Sequence, residues 1–173
     1  INLYDSIKTK SGYTFVGWSL SEGGSVKYQA GDEFFIPIDK TTITLYPVWQ
    51  ANINEIVFNA NGGSGVMANQ QVQTDKTVNL NDVTFYKAGY HFIGWSTSSD
   101  GEVIYANQDS YKMGTNSSYT LYAIWEANTN EIVFDANGGS GSSTQSVIEG
   151  DKAVKPTDPT REGHEFKGWY NEQ

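Results

Sequence analysis

The sequence predicts a mainly β protein of small α+β modules in tandem, with mixed sheets and at most one short helix in each unit. Three observations carry this. Ile56-Val57-Phe58-Asn59-Ala60-Asn61-Gly62-Gly63-Ser64-Gly65 returns as Ile132-Val133-Phe134-Asp135-Ala136-Asn137-Gly138-Gly139-Ser140-Gly141, a spacing of 76 residues. Self-similarity at a fixed period is the mark of a repeat architecture. The repeated stretches alternate apolar and polar residues, as a half-buried strand does. No segment sustains a period of 3.6, so a helix fits only after Asp75 or near Asn107–Lys112.

Two further elements repeat. Thr44-Leu45-Tyr46-Pro47-Val48-Trp49 is matched by Thr120-Leu121-Tyr122-Ala123-Ile124-Trp125. Gly12-Tyr13-Thr14-Phe15-Val16-Gly17-Trp18 recurs as Gly89-Tyr90-His91-Phe92-Ile93-Gly94-Trp95 and as Gly163-His164-Glu165-Phe166-Lys167-Gly168-Trp169. These copies divide the chain into a partial repeat at 1–50, the later portion of a unit, a complete repeat at 51–126, and a partial repeat at 127–173, the first portion of the next. A permuted boundary, with residues 1–74 as one compact unit, is the alternative division.

Taken in order, Tyr13 to Trp18 reads as a strand, and Ser21-Glu22-Gly23-Gly24-Ser25 as the turn before Val26-Lys27-Tyr28. Thr41 to Trp49 is β-branched and aromatic throughout and reads as a strand. Pro47 within it removes one ladder donor, which predicts an edge position or a bulge. Ala51-Asn52-Ile53-Asn54, mirrored by Ala127-Asn128-Thr129-Asn130, is a short, fairly rigid connector, unlike a long Gly/Ser linker. Ile56, Phe58 and Ala60 share one face of the next strand. Asn61-Gly62 is a hairpin signal, because both central positions of a type I′ turn need positive φ. The return strand falls at Gln70–Thr74. Tyr90–Trp95, a turn at Ser96–Gly101 and the short strand Val103-Ile104-Tyr105 repeat the first portion, with Val26-Lys27-Tyr28 as that strand's counterpart, at a spacing of 77. Lys155-Pro156-Thr157-Asp158-Pro159 is extended loop.

Phe15, Phe92 and Phe166 are invariant among the three copies, while the next position is Val16, Ile93 or Lys167. The Phe face is therefore core and the other face is partly open. The repeat-defining core positions are Phe15, Trp18, Leu45, Trp49, Phe58, Phe92, Trp95, Leu121, Trp125, Phe134, Phe166 and Trp169, and the turn glycines are Gly62, Gly63, Gly138 and Gly139. Each such aromatic encloses about 150–250 Å² when buried. A unit this small has little else to bury.

Composition narrows the function. Lys plus Arg is 11 and Asp plus Glu is 20, a formal net charge of -9, which repels nucleic acid and anionic membrane. The chain has no cysteine, so disulfide staples, thiolate metal sites and thiol catalysis are absent. No stretch is long and apolar enough to insert in a membrane. The chain opens at Ile1 with the repeat already under way, and reads as an internal fragment with any targeting or anchoring segment outside it.

Chemistry is sparse. His91 and His164 sit at different repeat positions and do not converge as metal ligands do. No serine has a supporting histidine and carboxylate, and the acids match no calcium loop. Gly62-Gly63-Ser64-Gly65 and Gly138-Gly139-Ser140-Gly141 lack the Gly-Lys-Ser/Thr ending of a phosphate loop. No catalytic residue, metal or cofactor is expected. The less regular tyrosines Tyr4, Tyr86, Tyr111, Tyr119 and Tyr170 are the candidates for surface or inter-repeat contacts, since an exposed ring can stack on a sugar or a protein.

The I-x-F-x-A-N-G-G start, the G-Y-x-F-x-G-W strand and the T-L-Y-x-x-W ending resemble the Listeria–Bacteroides repeat, the internalin B-repeat type of module, over essentially the whole chain. The resemblance implies tandem β-grasp-like modules. In that reading Phe58 and Phe134 begin the first strand and the Gly pairs make its turn. The Phe and Trp residues of the G-Y-x-F-x-G-W copies hold the central strand, and Leu45, Trp49, Leu121 and Trp125 close the last. It also implies a secreted or wall-anchored bacterial parent, extracellular at the cell surface or cell wall. The implied role is a non-enzymatic spacer, stalk or adhesion module, without cofactors. The second reading is a module that binds a carbohydrate or a host protein. The partners expected are a host or cell-surface protein or glycan. Self-association through the two incomplete terminal repeats is the further expectation. The Ser19–Ser25 and Ser96–Gly101 loops depart from common members.

Overall fold

The repeats give strands of six to ten residues where β-branched and aromatic side chains alternate with polar ones. The computed structural model describes residues 3, 9–39 and 41–171. Among these the strands are β1 (Tyr13–Ser19), β2 (Tyr46–Ala51), β3 (Ile53–Asn59), β4 (Gln70–Gln73), β5 (Thr77–Asn79), β6 (Tyr90–Ser96), β7 (Ser110–Lys112), β8 (Ser118–Ala127), β9 (Thr129–Phe134) and β10 (Ser143–Ile148).

The middle unit is a mixed sheet in the order β4-β3-β8-β6, with β5 and β7 forming a separate two-stranded ladder. β3 and β8 run parallel, while β4 and β6 are antiparallel to their neighbours. Before it, β1 pairs antiparallel with β2; after it, β9 pairs with β10.

The expected α+β, β-grasp-like module with a short helix is corrected: the described residues are entirely β, with no helix. Both places where a helix was expected are occupied otherwise. Asp75 takes a positive φ of 64° in the turn after β4, and Lys76 N donates to Gln73 O at 3.1 Å. Residues 110–112 lie in β7, where Tyr111 pairs with Val78 of β5. Without a 3.6 period neither stretch could bury one helical face, so the backbone finds its partners across a ladder instead.

Three strand expectations also change. Thr41–Trp49 becomes a strand only from Tyr46, whereas the counterpart β8 starts at Ser118. The reason is the neighbour: Ser118 to Tyr122 pair with β3, and Thr42–Leu45 have no such strand beside them among the described residues. Val26–Tyr28 and Val103–Tyr105 shrink to single bridges, Tyr28 to Trp18 and Tyr105 to Trp95. Asn61 and Gly62 do take positive φ, 47° and 81°, and Gly63 N donates to Ala60 O at 2.9 Å. That turn leads to a Ser64–Tyr86 bridge rather than straight back into β4.

The core lies on one face of the four-stranded sheet and draws on both halves of the unit. Ile56, Phe58, Val72 and Leu80 come from the first half, and Trp95, Tyr111, Met113, Leu121 and Ala123 from the second. Burying a side chain such as Ile56 or Leu121 stabilises by about 1.5–3 kcal/mol. Trp95 is fully enclosed, its ring 5.0 Å from that of Phe58 and 4.9 Å from that of Phe92. A bulge at Phe92/Gly94, repeated at Phe15/Gly17, turns β6 and β1 at this point. The bulge glycines have φ of 150° and 144°. Beside them the carbonyls of Tyr105 and Tyr28 accept from Trp95 N and Trp18 N.

Candidate functional site at the joint between repeats

The connectors contain an asparagine at the same place, Asn52 after β2 and Asn128 after β8. At the first joint Asn52 N donates to Gly12 O at 2.9 Å, on the unit before, and Thr74 N donates to Asn52 O at 2.9 Å, from the unit after. Thr14 Oγ1 donates to the Asn52 side-chain oxygen at 2.7 Å. One residue thus bonds both neighbours through its backbone. The second joint repeats this: Asn128 N donates to Gly89 O at 2.9 Å, and Glu149 N to Asn128 O at 2.8 Å.

The side chains around the two joints differ. At the first, the Tyr13 hydroxyl donates to Asp75 Oδ2 at 2.7 Å. That bond, with desolvation and the charge of Asp75 added, raises the Tyr13 phenol above its ordinary value. Lys10 Nζ lies over the Tyr13 ring at 3.7 Å. A methyl on Gly12 would meet Thr74 Cγ2 at 2.6 Å, so the two units pack closely here. Behind them Asn54, buried, donates to Thr74 Oγ1 at 2.9 Å and to Gly114 O at 3.0 Å.

At the second joint His91 Nδ1 lies 3.0 Å from Asn128 Oδ1 and its Nε2 3.2 Å from Glu126. Asn128 Nδ2 donates to Glu149 Oε2 at 3.0 Å. His91 therefore has a place in the connector, and its counterpart Thr14 fills the same place with a hydroxyl. Lys87 Nζ stands 4.1 Å over Tyr90. Gly150, with φ of 94°, takes the turn that Asp75 takes at the first joint.

The predicted core positions fall into one recurring aromatic arrangement. Phe15 meets Trp18 and Trp49 at ring separations of 5.2 and 5.8 Å. Phe92 meets Trp95 and Trp125 at 4.9 and 5.8 Å. In the last portion Phe134 and Phe166 both meet Trp169, at 5.2 and 5.3 Å. Leu121 and Phe58 are buried, and Leu45 is half-buried. Trp125 Nε1 donates to Ala60 O at 2.9 Å; a Cβ on Gly63 would collide with its indole. Gly62 and Gly138 hold their turns with positive φ, and Gly139 packs on Thr160 and Ala136 backbone.

The surface tyrosines are not brought together. Tyr86 and Tyr170 are 66% and 78% exposed, Tyr119 is half-buried, and Tyr4 lies outside the described residues. Tyr111 is corrected: it is 6% exposed, a core residue beside Tyr105 and Tyr119. Burial, with the neighbouring Tyr105 and Tyr119, pushes its phenol up to about 12. The sequence signal for it was Phe34, which stands at the matching place 77 residues earlier.

His164 hydrogen-bonds within its own turn, near Glu162 O at 2.9 Å. Among the described residues no three His, Asp or Glu side chains converge as metal ligands, and no helix is long and apolar enough to cross a membrane.

Comparison with known proteins agrees with the repeat pattern. The model of the Listeria-Bacteroides repeat domain matches residues 1–47, 55–124 and 131–173. The connectors fall in the gaps between those matches. One relative from Evansella cellulosilytica, provisionally named a Gly-rich membrane protein, is 33% identical over 166 residues. A second from the same organism, provisionally named a membrane protein, is 32% identical over 165 residues. Each alignment covers 95% of this chain, but only 18% and 23% of the relatives, so the chain spans about a fifth of their length. No solved structure shows significant similarity to the chain. With the family matched three times along its length, the chain belongs to the Listeria-Bacteroides repeat family.

Proposed function

We propose that this chain is a spacer and adhesion region of a bacterial surface- or membrane-associated protein, working outside the cell. The observation that carries the reading is the repeated asparagine joint. A passive string of beads needs only a loose linker, whose ends wander as the square root of its length. Here each connector is one residue between strands, bonded by its backbone to both neighbours. That construction fixes the direction of each unit on the last and holds whatever the array bears at a set distance. The names of the two Evansella relatives support the association with a membrane.

Two cysteines for spin labels can be placed in this cysteine-free chain at Ser21 and Ser98, both in exposed turns. A narrow distance distribution is expected, broadening in the Asn52→Gly variant while the circular dichroism of the strands is unchanged. A distribution in the unaltered chain as broad as a flexible linker would remove the spacer reading. The second reading, binding of a glycan or a host protein, draws on the exposed rings of Tyr86 and Tyr170. It is tested by binding to a glycan array that is lost on substitution of those two tyrosines.

A further inference from the structure

The ionised carboxylate of Glu149, in the turn after β10, accepts hydrogen bonds and cannot donate them. The Asn128 atom 3.0 Å from its Oε2 is therefore the amide nitrogen. That fixes the Asn128 amide with its oxygen toward His91 Nδ1, 3.0 Å away. An amide oxygen only accepts, so Nδ1 must carry a proton. On the other side of the ring Nε2 lies 3.2 Å from Glu126 Oε2, a second acceptor, and must carry one too. A neutral imidazole has a single N–H. The four side chains are satisfied together only when His91 is the imidazolium cation.

We propose that the second joint is a proton-operated latch, in which charged His91 ties Glu126 of the middle unit, through Asn128, to Glu149 of the next. The latch presupposes the direction-fixing joints proposed above and adds control to one of them. When the ring loses its proton, one bond must fail. The remaining N–H stays with Glu126, because a charge-assisted hydrogen bond is about twice as strong as a neutral one. Nδ1 then turns a lone pair on the Asn128 oxygen. If the amide flips to donate to Nδ1, its oxygen faces the Glu149 carboxylate, and the conflict has only moved. The backbone bonds from Asn128 N to Gly89 O and from Glu149 N to Asn128 O remain, so the joint slackens without parting.

The charged groups around the ring set the sign. Glu126 faces it from β8, and Glu149 stands beyond Asn128 and beside Gly89. Lys87, ahead of β6, is held over the Tyr90 ring at 4.1 Å. Carboxylates on both sides favour the charged ring. The latch is closed in mild acid and opens as pH rises through the range, about 5–8, in which histidine gives up its proton.

The first joint has the same plan without the switch. Thr14 stands where His91 does, Gln50 faces it where Glu126 does, and Thr74 takes the place of Glu149. Thr14 Oγ1 donates to the Asn52 oxygen at 2.7 Å, and a hydroxyl keeps its proton throughout that range.

Spin labels on cysteines placed at Ser98 and Ser146, exposed residues on either side of the second joint, test this in the full chain. The His91 and Glu126 side chains are 54% and 65% exposed, and solvent keeps such a pair weak. The ratio of the narrow to the broad component of the distance distribution should therefore fall about threefold from about pH 5 to about pH 8. Labels at Ser21 and Ser98, across the first joint, should show no change. His91→Thr should copy that indifference. Glu149→Gln should also remove the response, since a side-chain amide satisfies Asn128 in either orientation. A distribution narrow at both pH values, or a response that survives in His91→Thr, overturns the latch and leaves the spacer reading standing. A distribution broad at both overturns the two together.

Discussion

The Tyr13 hydroxyl and the Asp75 carboxylate meet across the first joint at 2.7 Å, one residue from each unit. The bond needs the neutral phenol, and it raises the Tyr13 phenol above its usual value. A raised folded value contributes coupling that is whole below the unfolded value, about 10, and that is lost as pH climbs through the folded one. Phenolate absorbance in an alkaline titration should show one tyrosine titrating late. In Asp75→Ala that tyrosine should return toward the ordinary range. An unchanged titration curve would mean that the two residues do not meet in solution.

Trp95 and Trp125 look alike in sequence but are held differently, and substitution should separate them. The Trp95 indole nitrogen is buried without a hydrogen-bond partner, whereas that of Trp125 donates to Ala60 O. Trp95→Ala should cost about 3–5 kcal/mol in urea unfolding of the chain's middle unit, the usual price of emptying a large core site. Trp95→Phe removes an unpaired N–H, and this offsets part of the lost volume. Trp125→Phe removes one of the two donors to Ala60 O, Gly63 N keeping the other, and adds about 1 kcal/mol to the packing loss. A Trp95→Ala penalty under about 1 kcal/mol would place that ring at the surface.

The bulge glycines give a third test. A Cβ on Gly94 would collide with Val103 and lie 2.7 Å from Tyr105 O, while one on Gly168 would meet nothing within 4 Å. Both glycines have positive φ, so backbone strain is common to both and only the collision differs. Gly94→Ala should therefore destabilise its unit by about 1–3 kcal/mol more than Gly168→Ala destabilises the last portion. Two-step thermal unfolding, followed by tryptophan fluorescence, would resolve the pair. Equal penalties would show that strain alone sets the cost.

Much of this architecture was legible from self-comparison, because strands repeat their alternation and turns repeat their glycines. Asn61-Gly62 announced its positive φ values through residue type alone. What failed had a common cause, the influence of distant neighbours. Thr41–Trp49 reads as one strand, yet its first residues need a β3 beside them to become one. Tyr111 looked irregular because its counterpart is Phe34; only the shared aromatic character at a spacing of 77 marked a buried place. Residues 107–112 carry no helical period, but nothing local says that they will pair with β5, some thirty residues back. The connectors were recognisable as short. That a single asparagine bonds both neighbours was not, since Gly12 and Thr74 are brought to Asn52 only by the folding of their own units.

The parallel pairing of β3 with β8 has a mechanical consequence. The chain enters the middle unit at the first residue of β3 and leaves at the last residue of β8, opposite ends of two adjacent parallel strands. Tension along the array therefore loads the Glu55–Asn59 and Ser118–Tyr122 ladder in shear, so its bonds must yield together rather than unzip one at a time. The outer strands β4 and β6 lie off the line of force. A pulled array of such units should resist as a cable does, with the strongest direction of each link aligned with the load.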